Sequence, residues 1–135
     1  KLKFYISNNL RLAIKFKTDG IYIPSFNKRM TLSKASLGKN FKIIGSAHNQ
    51  MEIKKKIDQG CEAIFLSPVF EIEKSRKYLG VCRFKLLTLK YKRKFIALGG
   101  IRKKNINILK MLNIYGMAGI SFLKKNRPKN LGRFL

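Results

Sequence analysis

The sequence predicts an α/β fold built on a parallel sheet. Six short apolar runs alternate with stretches of helical periodicity, and no two strand-like runs follow one another directly. That order requires parallel strands joined by right-handed crossovers. The run Ala63-Ile64-Phe65-Leu66 is continuously apolar, as in a parallel strand covered on both faces. Small and polar residues, among them Ser46, His48, Ser67 and Pro68, gather after these runs. Those are the carboxyl ends of the strands, where α/β sheets place their ligand sites.

Each element has its own signal. Leu2–Ile6 reads as a first strand, and Leu10, Ala13 and Ile14 as the apolar side of a first helix. Thr18-Asp19-Gly20 is a turn into the strand Ile21–Ile23, which Pro24 ends. Met30–Leu37 is expected to be a short helix stopped by Gly38. A third strand covers Phe41–Ile44, overlapping the apolar run Lys42–Ala47. Asn49 suits a helix N-cap, since its side chain can accept a bond from an unpaired backbone N–H. The following helix is expected to carry Met51 or Ile53 and Ile57 on its inner side, with Lys54, Lys55 and Lys56 outside. Gly60 stands where a left-handed residue ends such a helix. After the fourth strand, Ala63–Leu66, comes Glu71–Tyr78, long for a βα connection and so a candidate functional loop. Gly80 precedes a helix through Val81, Phe84, Leu87 and Tyr91. Phe95–Leu98 is the fifth strand, and Ile106, Leu109 and Leu112 mark the last helix. A sixth strand runs from Gly116 through Phe122, and the basic tail Lys124–Leu135 has no clear element.

With 135 residues, 45% hydrophobic and 27% charged, the chain is one globular domain, residues 1–135, and not a disordered one. No apolar run approaches the roughly 20 residues that span a bilayer, and no secretory signal is visible. Cys61 and Cys82 have no metal-type spacing and read as reduced thiols, so a cytoplasmic location is expected. Lys and Arg number 31 against 6 Asp and Glu, a net charge of +25. Such a balance favours anionic partners: phosphorylated metabolites, or nucleic acid as a distant alternative. The basic residues are spread over all helices and no nucleic-acid motif occurs, which counts against the second. A Lys-rich solvated surface of compositional origin accounts for the charge equally well.

Gly99-Gly100 ends one strand and opens a helix, and Gly119-Ile120-Ser121 ends the next. Without a Cβ, the backbone N–H groups there can approach an anion closely, and a helix start favours negative charge. A glycine pair alone is an ordinary tight turn. Two such turns one βα unit apart match the phosphate site that barrel enzymes form from their last two βα loops.

Several stretches together resemble one family. They are Ile43-Ile44-Gly45-Ser46-Ala47-His48-Asn49, Gly60-Cys61-Glu62-Ala63-Ile64-Phe65-Leu66-Ser67-Pro68-Val69-Phe70, Ile96-Ala97-Leu98-Gly99-Gly100-Ile101 and Gly116-Met117-Ala118-Gly119-Ile120-Ser121, with Asp19-Gly20-Ile21-Tyr22-Ile23 upstream. In order and spacing they are similar to the thiamine phosphate synthase/TenI family. The resemblance implies a TIM (β/α)8-type barrel, here partial, with six βα units matching the third to eighth strands and the first two units absent. It implies a thiamine biosynthesis transferase that condenses hydroxymethylpyrimidine diphosphate with thiazole phosphate, giving thiamine phosphate and pyrophosphate. Ser46 then contacts substrate, Lys74 and Ser75 fall where the diphosphate binds, and Gly99, Gly100, Ile120 and Ser121 form the thiazole-phosphate site. The family's Mg²⁺ is held by two carboxylates, whose positions here read Asn8-Asn9 and Ser25-Phe26-Asn27, so that Asn9 and Asn27 are the degenerate metal positions. The alternative is a TenI-like thiazole tautomerase that uses His48 for proton transfer and needs no metal or other cofactor. A non-catalytic binder of a phosphorylated ligand is a third reading. A homo-oligomer is compatible with each, and no membrane partner is expected.

Overall fold

The structure, a computed structural model, describes residues 2–32, 37–73 and 76–119. Six parallel strands form one sheet: β1 (Tyr5–Ser7), β2 (Gly20–Ile23), β3 (Lys42–Ala47), β4 (Ala63–Leu66), β5 (Lys94–Leu98) and β6 (Gly116–Ala118). They lie side by side in sequence order, β1 to β6. Every strand thus pairs with its immediate successor, so the sheet winds in one direction only. A doubly wound sheet reverses its order somewhere; a barrel does not. Among the described residues the sheet stays open, with β1 at one edge and β6 at the other. It is an open arc of the TIM type.

The helices α1 (Leu10–Lys15), α2 (Gln50–Asp58), α3 (Gly80–Lys90) and α4 (Ile106–Leu109) occupy the crossovers after β1, β3, β4 and β5. Same-handed crossovers bring them to one face, and the core lies there. Ile21, Ile23, Ile43, Ile64, Leu66, Phe95 and Ala97 of the strands cluster with Ile53, Phe84 and Leu87 of the helices. The residues between them, Tyr22, Phe65 and Ile96, point to the other face and are only half-buried. Tyr22 and Phe65 meet edge to face there, with ring centroids 5.9 Å apart. The strands are therefore sealed on one face, not on both as the apolar run of β4 suggested.

Local chemistry explains most boundaries. The Asn49 side chain accepts from Glu52 N at 3.0 Å and caps α2, as expected. Gly60, at φ 80°, ends the same helix in the left-handed region. The first strand begins at Tyr5, not Leu2, because Leu2 and Phe4 are exposed outside the sheet. Met30–Leu32, expected to begin a helix, are not helical; Asn27 Oδ1 accepts from the backbone of Arg29 and Met30 instead, holding a turn. The rest of that expected helix, residues 33–36, lies outside the described residues. The last helix is one turn long, and Leu112 reaches the core from beyond it. The end of the sixth strand and the basic tail also lie outside the described residues.

The main departure is in α2. Met51 is 80% exposed, whereas Ile53 and Lys56 are fully buried. Lys56 stands three residues after Ile53 and so shares its face. Its ammonium donates to Pro24 O (2.7 Å), Asn27 O (2.8 Å) and Gln59 Oε1 (2.8 Å), which uses all three protons. Gln59 passes the connection on, donating from Nε2 to Asn27 O (3.1 Å) and Met30 O (2.9 Å). The loop after β2 is thus tied to α2 through buried polar contacts. Burial, the largest cause, lowers the pKa of Lys56 below its usual 10.5.

Replacing Lys56 by Met would keep the volume and remove three hydrogen bonds from a charged donor; Gln59 Oε1 would lose its donor, while Asn27 O keeps Gln59 Nε2 and Pro24 O keeps Asn27 N. Hydrogen bonds to charged groups contribute about 1.5–3 kcal/mol each, and relief of the buried charge with partial relaxation should leave a net loss of about 2–4 kcal/mol. Urea unfolding of Lys56→Met against the exposed Lys54→Met checks this; the second variant should stay within about 0.5 kcal/mol of the parent. The parent's stability should also rise with alkalinity toward pH 10.5, since the unfolded chain holds the Lys56 proton longer than the folded one. Lys56→Met should lack that rise.

Candidate functional site at the carboxyl edge of the sheet

The loops after β2, β3 and β4 meet around His48. Its Nδ1 lies 2.7 Å from Ser67 O, a carbonyl that can only accept, so Nδ1 carries the proton. In the neutral ring Nε2 is then the free acceptor, and it faces Ser25 Oγ at 3.1 Å. Ser25 N in turn donates to Ser46 Oγ at 3.0 Å. Ser46 at the end of β3 and one residue from each of three βα loops therefore form one connected set, with a hydroxyl aimed at an oriented imidazole. The backbone of His48 is fixed as well. Its N–H donates to Glu52 Oε2 at 2.8 Å, while Glu52 Oε1 accepts from Asn49 Nδ2 at 3.0 Å. This is a capping-box arrangement in which one glutamate serves both the helix start and the histidine.

The loops after β4 and β5 are joined by their backbones. Val69 N donates to Leu98 O (3.0 Å) and Phe70 N to Gly99 O (3.2 Å). Gly99 and Gly100 have φ of 94° and 68°, in the region that favours glycine. A Cβ on Gly99 would lie 2.7 Å from Pro68 Cβ, and one on Gly100 would lie 2.6 Å from both Phe70 O and Glu71 O. The glycines are thus required by the neighbouring loop as well as by their own turn. A cavity of about 380 Å³ opens beside Gly100, with Arg76, Arg102 and Lys104 set against Glu71 and Glu73. Asn105 stiffens its floor, accepting from Arg102 N at 2.7 Å and donating to Gly100 O at 2.8 Å. The pairing of Leu98 with Ala118 brings Gly99 and Gly119 to the same edge on adjacent strands. Ile120, Ser121, Lys74 and Ser75 lie outside the described residues.

The two asparagines expected at the metal positions behave differently. Asn9 turns its Oδ1 to Leu12 N (3.0 Å) and caps α1. Asn27 instead meets Asn8, donating from Nδ2 to Asn8 Oδ1 at 2.6 Å. Its own Oδ1 accepts from Arg29 N and Met30 N at 3.1 and 3.0 Å. Mg²⁺ favours anionic oxygens in an octahedral shell. The oxygens here are neutral amides already engaged, and no group of three or more His, Cys, Asp or Glu that could hold a metal occurs among the described residues. The donor set does not suit Mg²⁺.

Glu52, Arg102, Lys104 and Asn105 carry no functional signal in the sequence, and Asn8 and Ser25 stand there only within the stretches at the expected metal positions. For Ser25 a signal existed: it follows a strand end, like Ser46 and Ser67. For the others only the fold brings the partners together.

A parallel sheet wound in one direction, with polar residues and a cavity of mixed charge at its carboxyl edge, defines a protein of the (β/α)-barrel class. The family model described as thiamine monophosphate synthase matches residues 1–123, and the chain belongs to that family. It is 33% identical over 130 residues to a thiamine-phosphate synthase of Prochlorococcus marinus, covering 93% of this chain and 37% of that protein. It is 30% identical over 138 residues to a thiamine-phosphate synthase of Flavobacterium johnsoniae, covering 95% of this chain and 64% of that protein. The chain therefore spans little more than a third of the Prochlorococcus relative. A solved thiamine phosphate pyrophosphorylase from Pyrococcus furiosus shares the fold, with a TM-score of 0.68 at 18% identity over 87% of this chain and 56% of that one. No helix among the described residues is long and apolar enough to cross a membrane.

Gly100→Ala should misplace the turn, since the added Cβ collides with two backbone carbonyls and the positive φ alone costs about 1–2 kcal/mol in a residue with a side chain. Inorganic phosphate should protect the parent against thermal unfolding, and Gly100→Ala should lower both the melting temperature and that protection. Arg102→Ala reduces the protection and leaves the melting temperature of the unliganded protein nearly unchanged.

Proposed function

We infer that the protein carrying this chain is a thiamine phosphate synthase, which condenses hydroxymethylpyrimidine diphosphate with thiazole phosphate and releases pyrophosphate. Family membership supports the reading, and one structural observation carries it: the cavity at Gly100 opens on the same edge of the sheet as the His48 set. A phosphate at the Gly99–Gly100 turn meets backbone N–H groups, with Arg102 and Lys104 alongside to match its charge. Lys74 and Ser75, on the β4 loop, are the residues assigned to the diphosphate, and Ser46 contacts substrate after β3. His48 holds a proton on Nδ1 and leaves Nε2 free to exchange one through Ser25. The family resemblance assigns Ile120 and Ser121 to the same phosphate. The enzyme is expected to work in the cytoplasm.

A second reading, a thiazole tautomerase, gains from the same imidazole. An isomerisation needs one oriented acid–base group and no diphosphate site, and His48 is held in a single tautomer by Ser67 O.

The intact protein should form thiamine phosphate when both substrates are supplied, measured as thiochrome fluorescence after oxidation. Arg102→Ala should raise KM for thiazole phosphate with a smaller change in kcat. No product from the two substrates, together with a thiazole tautomer exchange that His48→Ala slows by roughly 10²-fold or more, overturns the synthase reading in favour of the second.

A further inference from the structure

The side chains of Asn8 and Asn27 meet between the first two βα loops. The two side chains come from the loops after β1 and β2, adjacent strands at one end of the sheet. Asn8 sits at φ 56°, a left-handed conformation that asparagine adopts more readily than most residues. Its N–H donates to Tyr22 O at 2.8 Å, which binds the first loop to the second strand. The side chain then accepts from Asn27 Nδ2 at 2.6 Å. On the other side, Asn27 is held by its own turn and by α2. Its backbone oxygen accepts both the Lys56 ammonium (2.8 Å) and Gln59 Nε2 (3.1 Å).

We propose that the Asn8–Asn27 hydrogen bond is a metal-free clasp between the first two βα loops, and that this edge of the sheet binds no divalent cation. Three observations agree. Two neutral amides replace the anionic oxygens that a hard divalent ion requires. Their oxygens are already hydrogen-bonded, one by the other amide and one by two backbone N–H groups. The formal charge bonded to this loop is the ammonium of Lys56, buried where water screens it poorly, so it repels a second cation. The clasp instead joins a donor to an acceptor and needs no ion to neutralise it. In the synthase reading, on which this inference builds, charge on the departing diphosphate must then be met by side-chain cations.

Binding of Mn²⁺ alone to the intact protein, followed by the paramagnetic resonance of the free ion, tests the clasp without reference to turnover. The parent should leave the free-ion signal undiminished at millimolar Mn²⁺. The double variant Asn8→Asp/Asn27→Asp, which places two carboxylates where the amides meet, should remove part of that signal. Binding by the parent that Asn27→Ala abolishes overturns the proposal, as does a folded double variant that binds no Mn²⁺. If the double variant does not fold, the parent and Asn27→Ala decide alone. Failure to make thiamine phosphate with the Mn²⁺ result as expected sinks the synthase reading and leaves the clasp standing.

Discussion

A single buried ammonium governs the geometry at the carboxyl edge. Lys56 has no exposed surface and spends its three protons on the loop after β2 and on Gln59. That loop carries Ser25, which faces His48, and Asn27, which meets Asn8. Burying a charge is costly unless every donor finds a partner, and here every one does. The cost is justified by position: the loop has no regular structure of its own between Pro24 and Leu32, so its shape comes from α2. The serine that faces the histidine and the amide that meets Asn8 ride on the loop held by the same side chain.

The edge divides into two regions of different chemistry. Around His48 the side chains are hydrogen-bonded to one another and to Glu52, a setting suited to moving a proton. Around Gly100 they are charged and open to solvent, a setting suited to holding an anion. Glu71 and Glu73 temper the three cations of that cavity, so recognition rests on the placement of backbone N–H groups and side chains more than on the chain's net charge of +25. Backbone bonds between the β4 and β5 loops connect the regions, and Ser67, which orients His48, lies two residues before Val69 at that junction.

The sheet was legible in the sequence because its signals are local. Alternating apolar runs, an Asn cap at Asn49 and a glycine stop at Gly60 need no tertiary information, and each appears where expected. The motif positions Ser46, His48, Gly99 and Gly100 all reach the carboxyl edge for the same reason: strand ends in a parallel sheet share one rim. Lys56 was misread because charge outweighed periodicity; its spacing from Ile53 placed it inward, and only the loop from β2 supplies the acceptors that make burial tolerable. Asn8 was passed over for Asn9 since nothing in the order of residues tells which asparagine caps a helix and which crosses to another loop. Ser25 and Asn105 gained their roles from partners 23 residues away and from a turn, respectively.

The amide pair has a further consequence. Carboxylates facing one another gain protons in acid and are screened by salt. Asparagine side chains do neither. A rim closed by Asn8 and Asn27 keeps its spacing across a wide span of acidity and ionic strength, and the first two loops stay together whichever counter-ions the surrounding solution contains.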